Sequence, residues 1–589
     1  MKRGKIFLLL IVIAAIASTG CEDKSPVYGE KADCLIIGNV ITMDVDNPRT
    51  EAVVVKDGII QFVGERKDAE QYCTDKTQVL DYGTASVYPG FMEGHAHGRI
   101  VAERLHGLDL SDLGNEDAST MQDYVNKIAQ YVNQNPDMEI YKGFGWVVVN
   151  DITITAAALD AICSTKPIIL GDLDGHSAWL NTKAIEQYHV SDPANMAKYG
   201  TNYIRVDENG HPTGYITEDA VDLVRPAWAL SKDEYKTGLL KWQQIAFEFG
   251  ITAVSDAWLN ASDNLVQDAY LELSTSGAWK LRTYAVEKVL PPSDEKELYA
   301  TLNAILYHSE KYNSEYFKVN GIKIFMDGIV EGETAWLLEP YSNNKQNYGR
   351  TPFPDANVIA QAVAFANLHN LNAHFHTIGD AAVRTAVDGI SQAQAQTGIT
   401  DARNAVAHLE LVKPEEIERI GKNNIIPVVA PLWVPMNKSY QDELYQYLGE
   451  RIKTQYPIKS FCDKGCKINF HSDYPISPDF NVPQTICAAV TRTDDIHSDV
   501  DVQNPDEAIT REQALQAFTT NIAYQFKQEN RLGKLKAGFV ANMSVFNKDF
   551  LKDDMSTIIR AEVVATIVDG QVVYGNPEFK HETQSGRRI

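Results

Sequence analysis

From Ala32 to about Asp81, apolar residues come in short runs: Cys34–Ile37, Val40–Met43, Ala52–Val55 and Ile59–Val63. Turn formers such as Lys56-Asp57-Gly58 separate them. Short β-branched runs bounded by turns predict strands. The far end of the chain has the same texture, with Met543–Phe546, Val563–Val568, an Asp569-Gly570 turn and Gln571–Tyr574. The simplest expectation is one small β-sandwich domain assembled from both chain ends, residues 32–88 joining 530–577.

The centre, residues 89–529, reads differently. Strand-like runs at Pro167–Leu170, Ile251–Val254, Gly321–Phe325, Asn372–His376, Ala405–His408, Ile426–Val429 and Ile468–Phe470 alternate with helical segments such as Asp355–His369 and Glu415–Lys422. Repeated strand-then-helix order predicts the α/β class and a (β/α)8 TIM-like barrel, whose chemistry gathers at the C-terminal ends of the strands. The stretch around 98–210 exceeds one β/α unit and is expected to build lids or substrate walls. No internal repeat or low-complexity segment is visible.

The N-terminus belongs outside the fold. Met1–Lys5 is basic, and Ile6–Ile16 is apolar but too short to span a bilayer comfortably. Ala17-Ser18-Thr19-Gly20-Cys21 then puts small residues ahead of a cysteine. Residues 1–21 resemble a bacterial lipoprotein signal, in which Cys21 becomes the lipidated N-terminus after cleavage, and 22–31 form a polar tether. The expected location is the bacterial cell envelope, on the periplasmic or extracellular side. An ordinary signal peptide with an incidental cysteine is the alternative. Residues 578–589 read as a polar tail.

Composition narrows the function classes. At 589 residues, with 44% hydrophobic and 23% charged, the chain suits a main domain plus a smaller one. A formal net charge of −25 argues against nucleic-acid binding, which needs clustered cations. It leaves a small-molecule substrate open, and it does not set the oligomeric state. Besides Cys21 there are Cys34, Cys73, Cys163, Cys462, Cys466 and Cys487, far too sparse for a disulfide scaffold. Cys462 and Cys466 either close a small loop or remain two thiols beside a turn. They lack the second pair a zinc site needs.

The chemistry is signalled by Val87-Tyr-Pro-Gly-Phe-Met-Glu-Gly-His-Ala-His97. His95 and His97 at i, i+2 on a strand point to one face, where two imidazoles can grip a divalent metal. Alone the pair is weak. It gains weight because His376, His408 and Asp473 lie at or near the ends of apolar runs and Lys323 lies inside one. That is a ligand supply for a one- or two-metal hydrolase.

Pro89–His97 resembles the PGFxDxHxH signature of the amidohydrolase superfamily. More narrowly, the chain is similar to the amidohydrolase 3 subgroup, the YtcJ-like or N-substituted formamide deformylase-like proteins. Supporting segments are Gly171–Asn181, Gly321–Gly328, His376–Ala382, His471–Pro475 and Leu532–Gly538. The resemblance implies that His95, His97, His376 and His408 are metal ligands on the first, fifth and sixth barrel strands. It implies that Asp473 is the aspartate of the eighth strand, which joins the metal site and takes the proton of the attacking water. It puts Lys323 where relatives carry a carbamylated lysine (N6-carboxylysine) bridging two metals, and it implies one or two zinc ions, with another divalent metal as an alternative.

Each residue also has a plainer reading. His376 and His408 could be core histidines, and Asp473 could cap a turn beside Pro475. Lys323 could ion-pair with Asp327. His374 is read as supporting the ligands from behind, His176 as a substrate contact, and Trp146 and Glu218 as pocket walls, although many tryptophans are simply core. Four positions depart from the family pattern: Glu93 for Asp, Ala407 for Glu, His471 for a small residue and Asn542 for Asp. The expected function is hydrolysis of a C–N bond, most simply an amide, in a small molecule. A deaminase or cyclic amidase using the same site is the alternative, and a non-catalytic binding lipoprotein is the reading from another class.

Overall fold

The computed structural model describes residues 31–579 and 582–583, except 115–119, 148–153, 174, 263, 437, 478–480 and 494–501. The signal, nearly all of the tether and most of the tail lie outside the described residues. Among the described residues, no helix is long and apolar enough to cross a membrane.

Eight parallel strands form the central barrel. In order they are Phe91–Ala96, Ile251–Asn260, Arg282–Lys288, Phe317–Phe325, Asn372–Thr377, Ala405–His408, Ile426–Val429 and Asn469–Phe470. Most are buried on both faces, as expected for strands covered outside by helices. Residue alternation sorts the side chains. Ile322, Ile324, Ala373 and Phe375 pack in the outer core, so Lys323, Phe325, His374 and His376 turn to the barrel interior. Register sets Lys323 beside His374, and Phe325 beside His376.

The first and last strands meet at a short seam. Asp473 N donates to His95 O (3.1 Å), and His97 N donates to Tyr474 O (2.8 Å). Glu93 completes the seam, accepting from His95 N (3.0 Å) and from Ser472 N (3.1 Å). Here a carboxyl of either length has the acceptor oxygens the seam uses. The longer Glu93 is fully buried, and burial pushes it up to about 8.

The third strand differs from the sequence expectation. The apolar run Pro167–Leu170, a barrel-strand candidate by its sequence, lies instead in a separate six-stranded sheet between the first and second barrel strands, running from Leu108 to Thr217. The missing barrel strand is Arg282–Lys288. Its charges hide it from a search for apolar runs, yet each is paired. Arg282 bonds Asp569 (2.5 Å) and Glu315 (3.1 Å), Glu287 accepts from His308 (2.9 Å), and Lys288 bonds Asp222 (3.3 Å).

Both chain ends share one further sheet. Met543–Phe546 lies between Gln78–Pro89 and Val563–Val568, and Cys34–Ile41 runs parallel to Gln78–Pro89. Val40–Met43 is not a separate strand: it is largely the continuation of Cys34–Ile41 past a register shift. Asn542 serves this domain's junction with the barrel, accepting from Asp569 N (3.1 Å) and from Arg282 (3.3 Å).

Candidate metal centre

Six histidines converge at the barrel's C-terminal end and just beneath it. His95 and His97 close the first strand, His374 and His376 lie on the fifth, His408 ends the sixth, and His471 follows the eighth. All are buried. Burial is the main reason that His95, His374, His376 and His408 are held well below the usual imidazole range, and His471 is pushed down to about 4. They are therefore neutral, the state that can donate a lone pair to a metal.

Asp473 Oδ1 lies 3.1 Å from His95 Nε2 and 2.9 Å from His97 Nε2, yet it has no hydrogen-bond geometry to either. Ligand atoms of His95, His408 and Asp473 all fall within 4.8 Å of one another. His97 Nδ1, both nitrogens of His408 and Lys323 Nζ are also buried without partners among the described residues. Each such group costs about 1–3 kcal/mol if left unsatisfied. Several in one chamber beside a carboxylate suit a divalent cation and make this a candidate metal site.

The surroundings fix how the donors point. His95 Nδ1 shares a hydrogen bond with His374 Nε2 (2.8 Å), so His374 backs His95. His376 Nδ1 donates to Asp327 Oδ1 (3.2 Å), which leaves Nε2 as the free acceptor. Asp327 also accepts from Ile378 N (3.1 Å), Gly379 N (2.8 Å) and Trp336 N (3.0 Å). Burial nevertheless pushes it up to about 8. His408 is oriented by packing: its ring stacks on Trp433 with centroids 5.3 Å apart and planes 3° from parallel. No spacing or motif in the chain marks Trp433 for this part.

Asp327 thus holds His376 and forms no ion pair with Lys323. Lys323 Nζ is fully buried, lies 4.8 Å from the Phe325 ring centroid and is pushed down to about 7 by burial. His408 (φ 77°), Asp473 (φ 62°) and Glu218 (φ 53°) all adopt left-handed backbone. Non-glycine residues enter that region at a cost, typically where surrounding structure and function demand it.

The cavity over these residues is lined by His95, His97, His376, His408 and Asp473 on the barrel side, and by His176 and Glu218 on the side of the inserted sheet. His176 Nδ1 donates to Glu218 Oε2 (2.8 Å), and Thr334 Oγ1 donates to Glu218 Oε1 (2.5 Å). Burial pushes Glu218 up, but the His176 charge and these hydrogen bonds outweigh it and hold it at about 2. The His176 and His376 rings lie 5.4 Å apart. Trp146 is elsewhere. It is buried inside the inserted sheet against Trp179 and Tyr215 and donates to Leu170 O (2.9 Å). Ala407 faces Val428 in the barrel interior and not the cavity. Asp174 of the Gly171–Asn181 segment lies outside the described residues. Cys462 and Cys466 are both free thiols here.

Residues 78–574 match the model described as the Amidohydrolase family. The protein YtcJ of Bacillus subtilis is 26% identical, over 91% of this chain and 98% of its own. N-substituted formamide deformylase of Arthrobacter pascens is 23% identical, over 92% and 98%. Among solved structures, an uncharacterized metal-dependent hydrolase from Pyrococcus horikoshii covers 89% of this chain and 99% of its own at a TM-score of 0.69 and 21% identity, a likeness of fold.

Proposed function

The chain belongs to the Amidohydrolase family, and from that premise we propose that it is a zinc-dependent hydrolase of an amide C–N bond in a small molecule. The observation that carries the reading is the convergence of the Asp473 carboxylate with buried, unpartnered imidazole nitrogens on one cavity. His95, His97, His376 and His408 would hold the metal, with Lys323 available as a further ligand. When bound, zinc supplies a lowered pKa to a coordinated water and Lewis acidity to a carbonyl.

The chain's own residues do the rest. Asp473 takes the proton of the attacking water and returns it to the leaving amine. Glu218 stays ionised and anchors His176 on the cavity wall, where the ring can help steady the developing oxyanion. Asp327 keeps the His376 tautomer fixed, and the Trp433 stack keeps the His408 ring from turning. The name of the Arthrobacter relative agrees with this substrate class. Residues 1–21 support an envelope location through a lipid on Cys21.

The decisive experiment is metal analysis of the purified protein followed by an amide panel with amine detection. About one to two divalent ions per chain are expected, and amine should be released from at least one amide class. Metal-free protein with full activity would refute the mechanism.

Two variants probe the supporting residues. Glu218→Gln keeps shape but removes the charge behind His176. It should lower kcat about 10²-fold, the scale of one lost oxyanion donor, with metal content unchanged. Lys323→Ala should lower metal occupancy, and bicarbonate or short carboxylates should restore part of it if a lysine carbamate is the native ligand. Electron density for an unmodified Lys323 amine in loaded protein would count against the carbamate.

A further inference from the structure

Arg350 stands in the loop after the fourth barrel strand, on the wall of the same cavity. Its position is built. Gly349 before it has φ +70°, and a Cβ there would lie 1.8 Å from Ala335 O, so only glycine lets the chain pass. The Arg350 guanidinium carbon sits 3.6 Å from the centroid of the Tyr203 ring. Nη2 donates to Thr217 Oγ1 (3.3 Å), while Nε is buried without a partner.

The other cations of the wall are neutralised. Arg225 pairs with Asp222 (2.7 Å), and Lys288 lies 3.3 Å from Asp222 and 3.8 Å from Asp219. Arg350 forms no ion pair with any carboxylate of the described residues. Neighbouring Glu218 has its two oxygens engaged by His176 and Thr334. A guanidinium clamped flat on an aromatic ring, with an N–H donor to spare and no carboxylate paired with it directly, matches the fork of a carboxylate.

We infer that Arg350 binds a carboxylate on the substrate, so that the preferred substrates are anionic amides of the N-acyl or N-formyl amino-acid type. This rests on the amide-hydrolase reading and adds the charge of the substrate to it. The inserted sheet supplies Tyr203 and Thr217, so the anion subsite is shared between that sheet and a barrel loop, while the reacting carbonyl lies over the barrel.

The test compares N-formyl- and N-acetylalanine with their neutral methyl esters. The parent protein should favour the acids in kcat/KM by about 10- to 100-fold, the worth of hydrogen bonds to a charged group. Arg350→Met should abolish that preference, mainly through a raised KM for the acids. Arg350→Lys should restore part of it, which a purely structural role would not do. Thermal unfolding of each variant, with Arg350→Gln as a second truncation, identifies loss of fold. Binding of acid and ester to Asp473→Asn protein, with and without Arg350→Met, provides a readout independent of turnover. If acid and ester are hydrolysed equally, the inference falls and the hydrolase reading stands. If neither is hydrolysed but acid binding requires Arg350, the inference stands and the hydrolase reading falls. Equal binding of both compounds overturns the inference directly.

Discussion

Asp473→Asn is expected to retain nearly all bound metal while losing about two to four orders of magnitude in turnover, the range typical of general acid–base catalysis. The substitution preserves volume and removes basicity. Four histidines remain for the metal, so occupancy should hold. The backbone is also undisturbed, because Asn is among the residues that tolerate the left-handed φ of 62° at this position. Steady-state kinetics on the best amide, with metal analysis of the same preparation, separates the two effects. If turnover stays near parental, another group is the base. His471 would be the first to examine, since both its ring nitrogens are buried without partners and its ring lies 5.2 Å from that of His95.

His95→Ala should behave differently, losing metal and activity together. His95 is joined to three other parts of the centre: Asp473 at 3.1 Å, His374 at 2.8 Å and the ring of His408 at 4.9 Å between centroids. Its removal deletes a donor and leaves His374 Nε2 without its partner. Chelation of the parent protein should reproduce the loss of activity, and added zinc should reverse it in the parent but not in the variant. A His95→Ala protein that keeps full metal content would remove His95 from the ligand set.

Much of this was legible in the sequence because the chemistry sits on strands whose neighbours are apolar. Lys323 between Ile322 and Ile324, and His376 after Phe375, stand out as polar residues in runs that must be buried, and burial of a polar group demands a reason. The third barrel strand was illegible for the converse reason. Arg282, Glu287 and Lys288 look like surface residues until their partners are known, and Asp569 is 287 positions from Arg282. Pro167–Leu170 could be read as a strand, but an apolar run does not say which sheet it joins. Trp146 shows the same ambiguity in a side chain, since a tryptophan beside a motif fits a pocket wall or a core equally well. The parts of Asp327, Trp433 and Arg350 depend on angles and stacking across the loops, and no spacing in the chain encodes those.

The seam between the first and last barrel strands carries a consequence for how the site is kept intact. The final strand has two residues, Asn469 and Phe470, and its hold on the first strand is extended by Asp473, Tyr474 and the Glu93 carboxylate. The proposed proton carrier and the proposed metal-binding strand are therefore knotted together by main-chain bonds. A breath of the barrel that unzipped this fastening would pull Asp473 off His95 and His97 at the same moment, so topology and reactivity fail as one event. In the other direction, a cation gripping both sides would act as a rivet across this short joint of the cylinder, and the protein's mechanical integrity and its chemistry would be tuned by the same few atoms.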